Sequence, residues 1–162
     1  MEDVTKKTWL EVALNGPWTQ EKQARIPIKV EDIVQQGIAC VNAGAAIVHV
    51  HAYDEETGRQ KDDVDVYKKI IEGIRTEVDA IVYPTVSASG MNPIDERSTG
   101  EDRYAHIESL AKDGFLEWTV LDPGSCNFSH YDQLKEDKVG YVYQNSEADA
   151  RHGMGVAHKY GL

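Results

Sequence analysis

Ala43-Gly44-Ala45-Ala46-Ile47-Val48-His49-Val50-His51 is the stretch whose reading decides the fold. It is short, rich in β-branched residues and flanked by glycine, which favours a strand over a helix. Upstream, Ile28, Ile33, Val34, Ile38 and Val41 recur at roughly helical spacing. That spacing predicts a helix over 30–43, with Gly44 placed where a left-handed C-terminal cap favours glycine. Further back, Trp9-Leu10-Glu11-Val12-Ala13-Leu14 reads as a first strand that ends in the turn Asn15-Gly16-Pro17. Downstream, the cluster from Asp54 to Gly58 is a turn, and Val66, Ile70, Ile71 and Ile74 give an apolar face to a helix over 65–78. A third strand is expected over 80–86, weakened by Pro84, which cannot donate to a ladder. A polar loop over 87–100 leads to a helix over 101–113 and a fourth strand over 115–121, closed by Asp122-Pro123-Gly124-Ser125. The run 139–142 is ambiguous, and 147–160 reads as a final helix.

Strand and helix thus alternate four times, which implies parallel strands joined by right-handed crossovers. The class is α/β, either a doubly wound sheet or a (β/α) barrel, and in both the chemistry sits on loops that follow the strands. Four strand–helix units are half of an eightfold barrel, which typically takes about 250 residues. Residues 1–162 are therefore expected to form one domain, as a compact four-stranded fold or as the N-terminal half of a longer barrel.

The composition narrows the function. The chain has 162 residues, with 17 Lys+Arg against 28 Asp+Glu and a formal net charge of −11. Phosphate binding needs a clustered positive field, so a nucleic-acid partner is not expected. At 41% hydrophobic and 28% charged residues, it reads as a soluble globular protein. No apolar run approaches the roughly 20 residues that span a bilayer, and Met1-Glu2-Asp3 does not open a secretory pattern. No membrane partner and a cytoplasmic location are expected. Cys40 and Cys126 lie far apart with no CxxC, which reads as two reduced thiols. GxSxG, GxGxxG and GxxxxGK[ST] are all absent, so a nucleotide-dependent reaction has no support.

His49-Val50-His51 is the sharpest chemical feature. Residues two apart on a strand share a face, so both imidazoles can converge on one ion at the strand's C-terminal end. A catalytic zinc usually has three protein ligands and an open position. From spacing alone, a metal pair and two histidines merely packed near a strand end both stay open. Tyr53 and Asp54 are available as supporting partners. Glu11, Asp122 and His130 are candidate third ligands, none with diagnostic spacing. The other strand ends add Asn15, then Thr85, Ser87 and Ser89, then Asp122, Ser125 and Asn127. Hydroxyls, amides and carboxyls at such positions suit binding of a carboxylate or carbonyl, although each also suits a turn. Asn15, Thr85, Ser87 and Asp122 are taken as the substrate-binding candidates.

Several strings together resemble one family. These are Ala13-Leu14-Asn15-Gly16-Pro17, the AGA-to-HxH run with Thr57-Gly58 after it, Glu117 to Ser125, and Asn127-Phe128. The chain resembles the N-terminal half of the β-keto acid cleavage enzymes, among them the 3-keto-5-aminohexanoate cleavage enzymes. The resemblance implies a TIM-type (β/α) barrel, of which this chain supplies about four strand–helix units, and a homo-oligomer. It implies a zinc-dependent, carbon–carbon cleaving acyltransferase that turns a β-keto acid plus acetyl-CoA into acetoacetate plus a new acyl-CoA. His49 and His51 would be two zinc ligands. The third, a glutamate, and the family's catalytic Arg and Asp would lie beyond Leu162. Two departures bear on this. Trp18 stands where members acting on amino-bearing keto acids carry a Glu, which implies an uncharged or apolar side group on the substrate. The Ser/Thr-Gly-Gly turn after the third strand is replaced by Thr85-Val86-Ser87-Ala88-Ser89-Gly90. Two competing readings are a metal-dependent hydrolase of the amidohydrolase type, which carries HxH after its first strand rather than its second, and an inactive half-barrel.

Overall fold

A computed structural model of the chain describes residues 8–86, 99–129, 131–136, 138 and 140–162. The described chain divides into two compact units between Pro84 and Thr85. The first holds β1 (Glu11–Ala13), α1 (Val30–Asn42), β2 (Ile47–Val50), β3 (Tyr53–Asp54), β4 (Arg59–Gln60), α2 (Val64–Arg75) and β5 (Ile81–Pro84). β1, β2 and β5 form a parallel sheet with β2 in the middle, and Ala13, His49 and Tyr83 lie in register across it. Strand alternation then separates two faces. Val48, Val50 and Val82 are fully buried on one, and His49 and Tyr83 point the other way. β3 and β4 form a short antiparallel hairpin around the turn after β2.

Asp63 caps α2 by accepting from the backbone N–H groups of Asp65 and Val66. Tyr67, Ile70, Ile71 and Ile74 then bury the helix's apolar face. α1 and α2 pack closely enough that a side chain at Gly73 has no room. A Cβ there would stand 2.8 Å and 3.1 Å from the two methyls of Val34, a stiff β-branched side chain.

The second unit holds α3 (Gly100–Lys112), β6 (Cys126–Phe128), α4 (Tyr131–Lys135), β7 (Tyr141–Tyr143) and α5 (Glu147–Tyr160). β6 and β7 pair antiparallel, with the rings of Phe128 and Tyr141 stacked at 5.2 Å. Capping boxes start both long helices, Thr99 with Asp102 on α3 and Ser146 with Asp149 on α5. Arg103, 1% exposed, donates to Asn145 Oδ1 at 2.6 Å and to the Gln144 carbonyl at 3.3 Å, and pairs with Asp149 at 3.3 Å.

The α/β class and the parallel sheet stand as read, but the strand count differs. The run 115–121 forms no strand, so the parallel sheet has three strands rather than four among the described residues. Phe115 N–H instead closes the end of α3 on the Leu110 carbonyl, beside Gly114 at φ 78°. A strand needs a hydrogen-bonding neighbour, and a single apolar run carries no record of one. Cys126–Phe128, not anticipated as a strand, finds its neighbour in the ambiguous run, as β7. The loop expected over 87–100 lies outside the described residues as far as 98.

Gly73→Ala trades a helix-propensity gain of about 1 kcal/mol against overpacking of about 1–3 kcal/mol. Because Val34 is stiff, a net loss of stability is expected in urea denaturation. Adding Val34→Ala should recover part of it. A Gly73→Ala chain as stable as wild type would contradict the close approach.

Candidate functional site

Asn15 lies two residues past the end of β1, and its side chain holds the end of β2. Asn15 Oδ1 accepts from His51 N–H at 2.8 Å, and its Nδ2 donates to the His51 carbonyl at 3.1 Å and to the Pro27 carbonyl at 3.2 Å. His51 is 7% exposed and His49 half-buried. Their Nε2 atoms lie 3.2 Å apart, with the rings edge to face. His49 also rests against the Tyr83 ring at 4.8 Å, and the Tyr83 hydroxyl donates to the Glu11 carboxylate. His51 Nδ1 is 2.9 Å from Gln60 Oε1.

Burial, and after it the neighbouring His51, pushes His49 from 6.5 down to about 4. Burial also lowers His51, opposed by its hydrogen bond to Gln60 and by the charge of Asp62. Both rings are therefore neutral at neutral pH, the form in which imidazole binds metal. The spacing fits as well. Two nitrogens each about 2.0–2.1 Å from a tetrahedral zinc stand about 3.3 Å apart, against the 3.2 Å observed. His49 Nδ1 is buried with no hydrogen-bond partner. Among the described residues no set of three His, Cys, Asp or Glu side chains is gathered closely enough to hold an ion. The two histidines therefore stand as a pair, with no third such side chain gathered beside them among the described residues.

The other candidates fall as follows. Asn15, His49 and His51 belong to the first unit, and Thr85 and Asp122 to the second. Thr85 is buried; its hydroxyl donates to the Val86 carbonyl at 3.3 Å, and its own carbonyl faces His106 Nε2 at 2.7 Å. Asp122 accepts from the Tyr143 hydroxyl. Burial first, then that bond, pushes Tyr143 far above its usual range. Ser87, Ser89 and His130 lie outside the described residues. Tyr53 and Asp54 do not take the supporting role expected of them. The Tyr53 hydroxyl donates to the Gly16 carbonyl, and Asp54 caps its own turn through Glu56 and Thr57. Gln60 supports His51 instead. The signal for it was the turn over 54–58, which returns the chain nine residues later to the strand end it has just left.

The β-keto acid cleavage enzyme family model matches residues 7–162. A 3-dehydrocarnitine:acetyl-CoA trimethylamine transferase of Rhizobium meliloti is 28% identical over 141 residues, covering 78% of this chain and 46% of that protein. A 3-keto-5-aminohexanoate cleavage enzyme of Fusobacterium nucleatum is 31% identical over 112 residues, covering 68% and 36%. A 3,5-dioxohexanoate:acetyl-CoA acetone transferase of Paraburkholderia graminis is 27% identical over 113 residues, covering 70% and 33%. The chain belongs to the β-keto acid cleavage enzyme family. It spans less than half the length of these relatives. No helix among the described residues is long and apolar enough to cross a membrane.

Neutral burial of the histidines has a pH consequence. Between 6.5 and about 4 the unfolded chain binds a proton at residue 49 that the folded chain refuses, so stability falls as pH drops through that window. Urea midpoints should show the fall, and His49→Gln should make it shallower. An unchanged slope in the variant would contradict the burial.

Proposed function

We propose that the chain carries the zinc-binding pair of an enzyme that cleaves a β-keto acid against acetyl-CoA, giving acetoacetate and a new acyl-CoA. The observation that supports it is the convergence of His49 and His51 Nε2 at 3.2 Å, both neutral, at the end of β2. Family membership and the acetyl-CoA transferases among the relatives supply the reaction class. A zinc ion held there would supply Lewis-acid polarisation of the 3-keto oxygen. The rest of the work falls to the protein. Asn15 fixes the backbone of His51, and the Tyr83 ring supports the plane of His49. Thr85 and Ser87 are the proposed donors to the substrate carboxylate. Asn15, whose side chain anchors His51, and Asp122 are the further proposed substrate contacts. The third zinc ligand and the catalytic Arg and Asp are taken to lie outside the described residues. A half-barrel domain, a homo-oligomer and a cytoplasmic location belong to the same proposal.

Zinc per chain, measured by elemental mass spectrometry on wild type and His51→Ala together, tests the pair. Near-stoichiometric zinc that is lost in the variant is expected. Equal zinc in both, or none in wild type, would overturn the proposal.

Trp18 bears on the substrate. Lys22 Nζ lies 4.6 Å over its ring, and that positive charge disfavours a substrate ammonium close by. An uncharged or apolar side group on the keto acid follows. Acetoacetate release by the complete enzyme should be faster from an apolar β-keto acid than from its ammonium-bearing analogue, and the reverse order would reject this.

A further inference from the structure

The bonding of His51 has a direction. Its Nδ1 lies 2.9 Å from Gln60 Oε1, and Gln60 Nε2 donates to Asp62 Oδ1 at 3.4 Å. The hydroxyl of the fully buried Tyr67 donates to the same Asp62 oxygen at 3.2 Å. A carboxylate accepts hydrogen bonds and donates none. With Asp62 at one end, the Gln60 amide must turn its nitrogen to Asp62 and its oxygen to His51. An amide oxygen also only accepts, so the hydrogen of His51 sits on Nδ1 and the lone pair on Nε2 faces His49.

We propose that Gln60, oriented by Asp62, is a positioning residue that fixes His51 in the Nδ1–H tautomer and keeps its Nε2 free to donate an electron pair. The functional meaning rests on the reading of His49 and His51 as metal ligands; the tautomer itself does not. The same bonds make the two histidines unequal. With His51 Nε2 bare, His49 must supply the hydrogen of the 3.2 Å contact, which leaves its buried Nδ1 without one. An ion bound by both Nε2 atoms requires His49 to carry its hydrogen on Nδ1, whereas His51 is already set. Partners of this kind, one bond removed from a ligand, orient the ring and raise its basicity.

Long-range nitrogen–proton spectra of the metal-free chain, at about pH 7.5 where free imidazole is neutral, read the tautomer directly. His51 is expected with hydrogen on Nδ1. Asp62→Asn removes the acceptor-only end and lets the Gln60 amide turn, so the second tautomer should appear. Gln60→Leu should abolish the preference, and Gln60→Glu, which keeps an acceptor, should retain it. Zinc affinity by chelator competition should fall about 10- to 100-fold in Gln60→Leu and recover in Gln60→Glu. Circular dichroism checks the fold of each variant. If Gln60→Leu does not fold, Asp62→Asn decides the matter alone. Hydrogen on His51 Nε2 in wild type, or a tautomer unmoved by both Asp62→Asn and Gln60→Leu, would overturn the proposal. A wild-type chain with the expected tautomer that takes up no zinc would bear out the positioning role and overturn the metal reading.

Discussion

The Asn15 side chain takes over where a backbone ladder stops. Leu14 N–H still bonds the His49 carbonyl at 3.2 Å, in the pattern of parallel strands. One step further, both backbone groups of His51 are bonded by the Asn15 amide rather than by another strand. His51 is buried, and an unpaired buried backbone group costs about 1–3 kcal/mol. An aliphatic residue at 15 would leave two such groups. The side chain of Asn15 therefore fixes where β2 ends and where the second imidazole points.

From that clamp the rest of the first unit follows. Period-two alternation sends Val48 and Val50 to the buried face and His49 to the face where Tyr83 and Glu11 meet. Glu11 and Ala13 on that face are exposed, whereas Tyr83 beside His49 is buried. Burial then keeps both rings uncharged, and the hairpin formed by β3 and β4 brings Gln60 back to the one ring nitrogen of His51 that does not face His49.

Much of this was legible in the residues. The helices over 30–42, 64–75, 100–112 and 147–160 follow from apolar spacing and capping residues, which are local. The three parallel strands were legible because short apolar runs precede and separate those helices, and the HxH pair because two-residue spacing is itself a statement about direction. What was missed depends on partners distant in sequence. The run 115–121 is apolar enough for a strand but makes no ladder, and Cys126–Phe128 becomes one only because Tyr141–Tyr143 lies beside it. Tyr53 and Asp54 follow the histidines at once, yet their bonds go to Gly16 and to the local turn. For Gln60 the turn over 54–58 signalled only that the chain comes back, because a glutamine after a turn carries no mark of what it will meet.

Asp149 has a second consequence. One of its oxygens accepts from Ser146 N–H at 2.9 Å, closing the cap of α5, and the same oxygen pairs with Arg103 of α3. Arg103 in turn is tied to Gln144 and Asn145, the two residues before that cap. The first turns of the two helices therefore share a single carboxylate. Fraying at the start of α5 strips the buried guanidinium of a counter-charge, and fraying at the start of α3 removes a partner from the α5 cap. The two helix ends behave as one cooperative opening rather than two local ones.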